Sequence, residues 1–486
     1  MFLTWIKKNK FWVFASLLFL FLRLPSLFEP YWYGDENIYL VLGQAIQRGL
    51  TLYSQIHDNK PPTLYYLAAF GQTVFGFRLL LALWMIPTVY VFYLLSNRFL
   101  TLRFSRLATL FFIILTSIPL FEGSIANAEI FMLLPTIWAI YLISSVKKSG
   151  LPARALAAAG LLLGFAFTIK IPVAFEFAFL CFWILITNFD LKKIGFILKS
   201  YFILLISFSL PTLLYLVYFY FKGAVNEFLF AALFQNFGYL SSWSTGSHSG
   251  SSTDSGLLGR AAILAVFYLL SLVLYRKKLI SEKVSFLTLW FAATIFGALL
   301  STRPYPHYLI QILPPLILLL IFLFDSKLSK KIRLFTLFCI LFLVFCFFKY
   351  KFYVYPVFSY YRNFYLQGNQ MSYYGQSLER DYQISKFIKD NSSPDQPVFV
   401  WGDNPHLYAL SERLPVGRYT VAYHITDFKQ HSATMDYLRT AYPKFIVYFP
   451  QPGRPFPELD LFISRYYVPS IAYGEVVVFN KVDLDQ

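Results

Sequence analysis

Two adjacent carboxylates, Asp35 and Glu36, follow the first apolar run of the chain. A carboxylate can take a proton from an attacking hydroxyl, and it can also bind a divalent metal ion. The pattern of residues 37–48 predicts an amphipathic helix that ends at Gly49 and lies along a membrane interface. The positive end of this helix would favour the carboxylates as anions. The alternative is that the acids only cap the helix, which requires one carboxylate and no further partners.

A second polar group follows in the same stretch. His57, Asp58 and Lys60 precede Pro61 and Pro62. The two prolines stiffen the backbone and would present Lys60 at a defined place near the membrane surface. A lysine there can bind a phosphate. A lone lysine near the membrane surface more often only extends its ammonium group into the water. His57 and Asp58 are candidates for positioning a substrate beside it.

Further candidates lie at the ends of later apolar runs. They are Glu122, Asn127 and Glu129 in one loop, Lys170 in the next, and Arg303, His307 and Tyr308 in a later one. A charged side chain between two apolar runs is costly unless something anionic meets it, so Lys170 is a functional candidate by default. Glu176 lies deep in an apolar run, and its role is open.

The elements that must position these residues are membrane spans. The chain has 486 residues, of which 57% are hydrophobic and 14% charged, a balance typical of repeated spans and not of soluble domains. Eleven apolar runs approach the length that crosses about 30 Å of hydrocarbon. They are residues 11–28, 79–97, 107–121, 130–145, 155–170, 172–188, 201–221, 261–275, 284–301, 308–324 and 333–350. The run 63–76 is too short, and we interpret it as an interfacial or re-entrant helix.

The distribution of charge predicts the orientation. With the N-terminus in the cytoplasm, the inner loops carry twenty Lys/Arg and three Asp/Glu, an excess that equals the net charge of +17. This bias follows the positive-inside rule and makes nucleic acid a poor explanation for the basic composition. All the candidate residues except Glu176 then lie on the outer side of a cell membrane, where we expect them to share one cavity.

A separate exterior domain is predicted after the last span. Residues 351–486 contain thirteen Lys/Arg and thirteen Asp/Glu, and their helical and strand-like patterns alternate. The predicted division is a transmembrane domain at 1–350 and an α/β domain at 351–486. Residues 241–256 hold eleven Ser or Gly, which predicts a mobile segment, either a linker or a lid over substrate.

Cations and carboxylates on one outer face suit a phosphate-linked lipid and a hydroxyl that must lose its proton. Together they indicate glycosyl transfer, in which the acceptor oxygen attacks the anomeric carbon and the cations stabilise the departing phosphate. A transporter or flippase for a lipid-linked sugar is the alternative, although it predicts charges along a path through the bundle. An assembly scaffold would need none of the loop acids.

Several motifs carry a family resemblance: GDENIY, YSQIHDNKPPTLYYLAAFGQTVFGF, NAEIFMLLP, LLLGFAFTIKIPVAF and RPYPHYLIQILPPL, in that order. The chain resembles the GT-C membrane glycosyltransferases. It looks like the bacterial branch of the dolichyl-phosphate-mannose protein mannosyltransferase family (glycosyltransferase family 39), with kinship to the aminoarabinose transferases that modify lipid A. The resemblance implies an all-α polytopic fold with about eleven transmembrane helices, interfacial helices in the first exterior loop and a small exterior α/β domain.

The resemblance also implies roles for single residues. Asp35 would be the leading catalytic residue, with Glu36 beside it and Glu129 as an acid from the second loop. Lys60 would bind the donor phosphate, and Lys170, Arg303 and His307 are further candidates for it. His57, Asp58, Asn127 and Tyr308 would position substrate. The implied partners are a polyprenyl-phosphate sugar donor, a lipid, glycan or protein acceptor and the inner membrane of a bacterial cell. No cofactor is indicated beyond a possible divalent metal at Asp35 or Glu36.

Overall fold

The structure is a computed structural model that describes residues 9–144, 152–188, 194–235, 253–300, 305–325, 334, 338 and 354–482. Most of them are helical. The helices up to residue 325 are α1 Lys10–Leu27, α2 Gly34–Gln47, α3 Thr63–Gly71, α4 Val74–Phe99, α5 Leu102–Leu115, α6 Ala128–Phe131, α7 Leu133–Ser144, α8 Ala153–Phe167, α9 Ala174–Asn188, α10 Ile194–Phe221, α11 Val225–Leu229, α12 Thr253–Arg276, α13 Glu282–Ala298 and α14 Leu313–Asp325. Short 3-10 helices at Pro119–Phe121, Ile171–Val173 and Pro306–Ile312 precede α6, α9 and α14.

A helix lies at each of the first ten predicted spans. Among the described residues, six helical segments are long and apolar enough to cross a membrane: Lys10–Leu27, Val74–Phe99, Ile171–Asn188, Ile194–Phe221, Gly259–Arg276 and Pro306–Asp325. Shorter apolar helices occur at Ala128–Ser144 and Ala153–Phe167. The chain is therefore a membrane protein with several apolar helices, as its composition indicates. The eleventh predicted span lies almost entirely outside the described residues, so the full count stays a prediction.

The chain divides into two compact units. The helical unit consists of Met1–Leu24, Leu81–Tyr218 and Ala232–Tyr360, and the mixed unit consists of Pro25–Leu80, Phe219–Ala231 and Tyr361–Gln486. The predicted boundary between residues 350 and 351 falls outside the described residues and stays a prediction.

Two glycines one turn apart bring α8 and α10 together in the helical unit. A Cβ at Gly160 would lie 2.7 Å from the carbonyl oxygen of Leu204, and one at Gly164 would overlap the carbonyl oxygen of Phe208. Membrane helices associate through such small residues because lipid offers them no hydrophobic driving force for packing. The two glycines therefore let the backbones approach at a distance that no larger residue permits.

We expect Gly164→Leu to lower the thermal unfolding midpoint of the detergent-solubilised protein. The added side chain must displace the α10 backbone, and overpacking of this kind costs roughly 1–3 kcal/mol or more. Gly195→Leu is the matched control, because a Cβ at Gly195 on α10 meets nothing within 4 Å. Equal midpoints for the two variants would contradict the close approach of α8 and α10.

Helix α2 lies in the mixed unit and packs against α3. Its end at Gly49, which has a φ of 88°, is as predicted. An interfacial helix would leave its polar face open, whereas residues 36–45 are buried on both faces. The amide of Gln44 donates to the carbonyl oxygens of Gln72 and Ala409. The C-terminal part of the chain therefore covers the polar face, and the position of α2 at a membrane interface stays a prediction.

A four-stranded mixed sheet forms the C-terminal part of the mixed unit. The helices of this C-terminal part are α15 Val354–Gln367, α16 Leu378–Asp390, α17 His406–Ser411, α18 Ala422–Asp427, α19 His431–Ala441 and α20 Pro457–Tyr466. The first residues of α15 belong to the helical unit. The strands are β1 Phe399–Trp401, β2 Phe445–Tyr448, β3 Tyr467–Tyr473 and β4 Val476–Lys481, in the order β1-β2-β4-β3. Strands β1 and β2 are parallel, and the other pairs are antiparallel. The predicted helices and strands of this region are confirmed.

The core of this part is apolar and continuous from the sheet to the helices. Buried side chains of Trp401, Ile446, Phe456 and Leu438 belong to one cluster. The predicted mobile segment at 241–256 is partly helical, because α12 begins at Thr253, and residues 241–252 lie outside the described residues.

Candidate functional site

Asp35 stands in the first turn of α2 and is the more exposed of the two adjacent acids. Its side chain is 38% exposed, and its Oδ2 atom lies 3.3 Å from Nζ of Lys60. The hydroxyl of Tyr39, one turn further along α2, donates to the same oxygen at 3.2 Å. The Lys60 ammonium also lies over the Tyr39 ring, 4.8 Å from its centroid. A lysine and a tyrosine thus hold one carboxylate oxygen in place at the accessible end of the helix.

Asp58 supports Lys60 from the buried side. The hydroxyl of Tyr65 donates to Oδ2 of Asp58 at 2.8 Å, and Nζ of Lys60 lies 4.0 Å from the same oxygen. The backbone of Lys60 is held as well, because its N–H donates to Tyr65 and its carbonyl accepts from Tyr53. The prediction of a lysine presented at a fixed place by the residues around the prolines agrees with this geometry.

The tyrosines of this cluster stay protonated. Burial raises the pKa of the Tyr39 hydroxyl well above its usual value, and Asp35 and Asp58 raise it further. Burial likewise raises the pKa of Tyr65, with Asp58 as the next cause. Both hydroxyls therefore act as hydrogen-bond donors to the carboxylates at neutral pH.

His57 faces the C-terminal part of the mixed unit. Its backbone N–H donates to the carbonyl of Arg418 at 2.8 Å, and its buried ring packs edge-on against Tyr419 and Phe428. On the same side, Nε2 of His424 lies 3.8 Å from Oδ1 of Asp58. The first loop is therefore fixed by residues more than 350 positions later in the chain.

We expect a His424→Asn variant to lose less stability than the wild type on acidification. Burial lowers the pKa of His424, an effect that nearby Asp58 partly opposes. The unfolded chain then binds the proton more readily, so stability is fully present above the unfolded pKa of about 6.5 and falls as the pH drops below it. The measurement is the thermal midpoint at pH 7 and pH 5. His431→Asn is the control, and equal decreases in wild type and His424→Asn would count against this effect.

Glu36 is buried and forms an ion pair with Arg78. Nε of Arg78 donates to Oε1 at 2.8 Å and Nη2 donates to Oε2 at 2.6 Å. Nη1 of Arg78 lies 2.8 Å from Oε2 of Glu29 and donates to the carbonyl of Ser26 at 2.9 Å. All three charged side chains are almost fully buried. This triad joins the end of the first apolar run, the start of α2 and the start of α4.

Sequence reasoning missed Arg78 and Glu29. The signal was available, because Arg78 interrupts the apolar run VFGFRLLLALWM, and a charge in such a run requires a partner. Tyr39, Tyr65 and His424 were missed too. Nothing in their local sequence distinguishes them from the 36 tyrosines and six histidines of the chain.

A second cluster lies in the helical unit, where the remaining described candidates meet. Lys170 forms an ion pair with Glu129, and its Nζ lies over the Tyr308 ring, 4.5 Å from the centroid. His307 stands between two acids, with Nδ1 2.5 Å from Oε2 of Glu122 and Nε2 3.6 Å from Oε1 of Glu129. Glu122 is held in the left-handed region, with a φ of 54°. Lys170 is thus already paired with a carboxylate, and His307 lies between two of them.

Asn127 precedes α6 in the same unit and is buried. Within the part of the chain that the structure describes, neither atom of its side-chain amide has a hydrogen-bond partner. Arg303 lies outside the described residues. The predicted candidates therefore fall into one cluster in each unit, and their sharing of one cavity stays a prediction.

The residues around Asp35 do not suit a divalent metal ion. Glu36 is bound by Arg78, and the Lys60 ammonium lies 3.3 Å from Asp35 and 4.0 Å from Asp58, so a metal cation at Asp35 would meet a positive charge already in place. Within the described ranges, no group of three or more His, Cys, Asp or Glu is arranged to hold a metal.

Comparison with known proteins gives a clear answer for the fold. No family model matches the chain, and no curated protein matches it in sequence. The crystal structure of ArnT from Cupriavidus metallidurans bound to undecaprenyl phosphate matches with a TM-score of 0.59 and 13% identity, over 97% of this chain and 98% of that one. The apo state of the same protein matches with a TM-score of 0.59 and 14% identity, over 97% of both chains. A weaker likeness, with a TM-score of 0.48 and 13% identity, relates 99% of this chain to 75% of the oligosaccharyltransferase AglB from Archaeoglobus fulgidus.

The chain has the fold of a GT-C membrane glycosyltransferase of the ArnT type, and this likeness extends over nearly its whole length. The predicted resemblance to that class and to the aminoarabinose transferases is confirmed at the level of the fold.

Proposed function

We propose that this protein transfers a sugar from a polyprenyl-phosphate donor to an acceptor hydroxyl at the outer face of the membrane, with inversion at the anomeric carbon. The observation that carries the proposal is the half-exposed Asp35 carboxylate beside the Lys60 ammonium, at 3.3 Å. A base and a phosphate-binding cation side by side are what this reaction requires. The ArnT fold supports a polyprenyl-phosphate donor, since ArnT is known bound to undecaprenyl phosphate.

In the proposed reaction, Asp35 takes the proton of the acceptor hydroxyl as its oxygen attacks the anomeric carbon. The bond between that carbon and the phosphate oxygen breaks, and its electron pair leaves with the phosphate. Lys60 stabilises the charge that develops there. Tyr39 and Asp58 hold Asp35 and Lys60 in position.

We assign Glu36 to positioning. Its two oxygens accept from Arg78 inside the protein, so it fixes the start of α2 and leaves the base role to Asp35. This differs from the implied catalytic role for both acids, because only one of the two side chains reaches solvent.

The cluster of the helical unit is proposed to contact substrate. Lys170 and His307 remain proposed donor contacts, with Arg303 as a third, and Glu129, Asn127 and Tyr308 would orient the bound groups. Because Lys170 is already paired with Glu129, a phosphate that binds Lys170 would have to compete with that carboxylate. We also propose that the N-terminus is cytoplasmic and that the first loop faces outward.

The test is an assay with purified protein in lipid nanodiscs or vesicles. Polyprenyl phosphates that carry labelled sugars are supplied together with lipid, glycan and peptide acceptors. Label on an acceptor together with released polyprenyl phosphate supports a transferase. Movement of intact lipid-linked sugar across vesicles without bond cleavage would instead support the flippase alternative, and the absence of both would contradict the proposal.

A further inference from the structure

Glu176 is a buried carboxyl for which the proposed reaction has no use. It lies in α9, and its Oε2 atom accepts from Nε2 of Gln311 at 3.0 Å. Both side chains are buried. A buried carboxyl in an apolar helix is costly, and it persists only where it makes a specific contact.

The hydrogen bond joins the two chain segments that carry the cluster of the helical unit. Glu176 follows Lys170 by less than two helical turns, across the 3-10 helix Ile171–Val173. Gln311 lies on the 3-10 helix Pro306–Ile312, whose first turn carries His307 and Tyr308. This bond therefore joins the segment of the lysine to the segment of the histidine, as the contact of Lys170 with the Tyr308 ring also does.

Helix α13 passes beside this hydrogen bond at Gly297. A Cβ at Gly297 of α13 would lie 3.3 Å from Nε2 of Gln311 and 3.3 Å from the Phe175 ring. The absence of a side chain at Gly297 therefore leaves room for the Gln311 amide and the Phe175 ring beside α13. A hydrogen bond between two buried side chains is electrostatically stronger than one in water, which suits a bond that holds two segments in place.

We propose that Glu176 and Gln311 are positioning residues, and that their hydrogen bond holds His307 between Glu122 and Glu129 in a form competent for the reaction. This inference rests on the proposed function for the role of His307, but the placement of His307 can be tested without it.

The first experiment measures the reactivity of His307 directly. Wild type and variants in detergent are treated with diethyl pyrocarbonate, and the modification of each histidine is followed by peptide mass spectrometry. We expect Glu176→Leu and Gln311→Leu to raise the rate at His307 about tenfold, as loss of one buried hydrogen bond favours a locally open state by about 1.4 kcal/mol. Glu176→Gln keeps an acceptor oxygen for Gln311 and should leave the rate near that of the wild type.

Two controls separate positioning from general loosening. Tyr201→Phe removes a hydrogen bond from the Tyr201 hydroxyl to the carbonyl of Cys181, also on α9, and should leave His307 unchanged. The buried His406 and His424 of the mixed unit should react at wild-type rates in every variant. An unchanged His307 in both leucine variants, or a joint rise at all three histidines, would overturn the proposal.

The second experiment tests the link to transfer. Glu176→Leu should lower kcat about tenfold, and this loss should disappear in a His307→Ala background because both changes act on one group. If Glu176→Leu lowers kcat by the same factor in the wild-type and His307→Ala backgrounds, the positioning role is contradicted. The footprinting needs no product, so it decides the inference even if no sugar transfer is found, a result that would count against the proposed function alone.

Discussion

Asp35→Asn is expected to abolish nearly all sugar transfer while the protein remains folded. An amide of the same shape keeps the hydrogen bond from Tyr39 but cannot accept the proton of the acceptor hydroxyl, and loss of a general base costs roughly 10²–10⁴ in rate. Because the side chain is 38% exposed, the substitution leaves no buried group unpaired. The decrease should therefore be in kcat, with the thermal midpoint close to that of the wild type.

The matched control for this variant is Asp436→Asn. Asp436 is an exposed acid of α19 whose pair with Arg439 lies on the surface, and its loss should leave transfer unchanged. Initial rates at saturating donor and acceptor, together with a thermal melt of each sample, make the comparison. Transfer by Asp35→Asn at more than a tenth of the wild-type rate would exclude Asp35 as the base and return attention to Glu129.

Arg78→Met is expected to give the largest loss of stability. It removes the cation between Glu29 and Glu36 and leaves two carboxylates buried without it. Breaking a buried ion pair by removing one partner costs about 3–5 kcal/mol. Arg78→Lys should recover only part of this, because an ammonium cannot donate to both oxygens of Glu36 and to Glu29 in the planar geometry of a guanidinium.

Thermal unfolding in detergent, with membrane yield as a second measure, tests this prediction. Arg439→Met is the comparison, since it breaks a surface pair with an N–O distance of 3.7 Å and should shift stability by about 0–1 kcal/mol. If the Arg78→Met and Arg439→Met variants have equal thermal midpoints, the triad contributes no net stability. Transfer by any folded Arg78→Met protein should also fall, because Glu36 and Asp35 share the first turn of α2.

The sequence predicted the elements well because their signals are local. Apolar runs of sufficient length place helices at the first ten spans, and alternating patterns place the strands and helices between residues 378 and 481. The first turn of α2 and its end at Gly49 also follow from short-range patterns, whereas the ion pair of Lys60 with Asp35 joins residues 25 positions apart and was not predicted.

What the sequence could not show depends on contacts between distant residues. Gln44 and Ala409 are 365 positions apart, yet their hydrogen bond turns a helix that looks interfacial into a buried one. Likewise, the exposure of Asp35 and the burial of Glu36 cannot be distinguished for adjacent acids until Arg78 is placed. The pairing of Lys170 with Glu129 was equally hidden, since a run of residues shows a charge but not its partner.

The mixed unit is assembled from three stretches separated by long membrane segments, and this has a consequence for biogenesis. Residues 25–80 leave the ribosome early, but the strands and helices that cover them come from residues 361–486, the last to be made. Residues 25–80 therefore lack their contacts with residues 361–486 while nearly all the predicted spans are inserted. A chain interrupted shortly after residue 360 would leave Asp58 without His424, so the mixed unit is completed only near the end of translation.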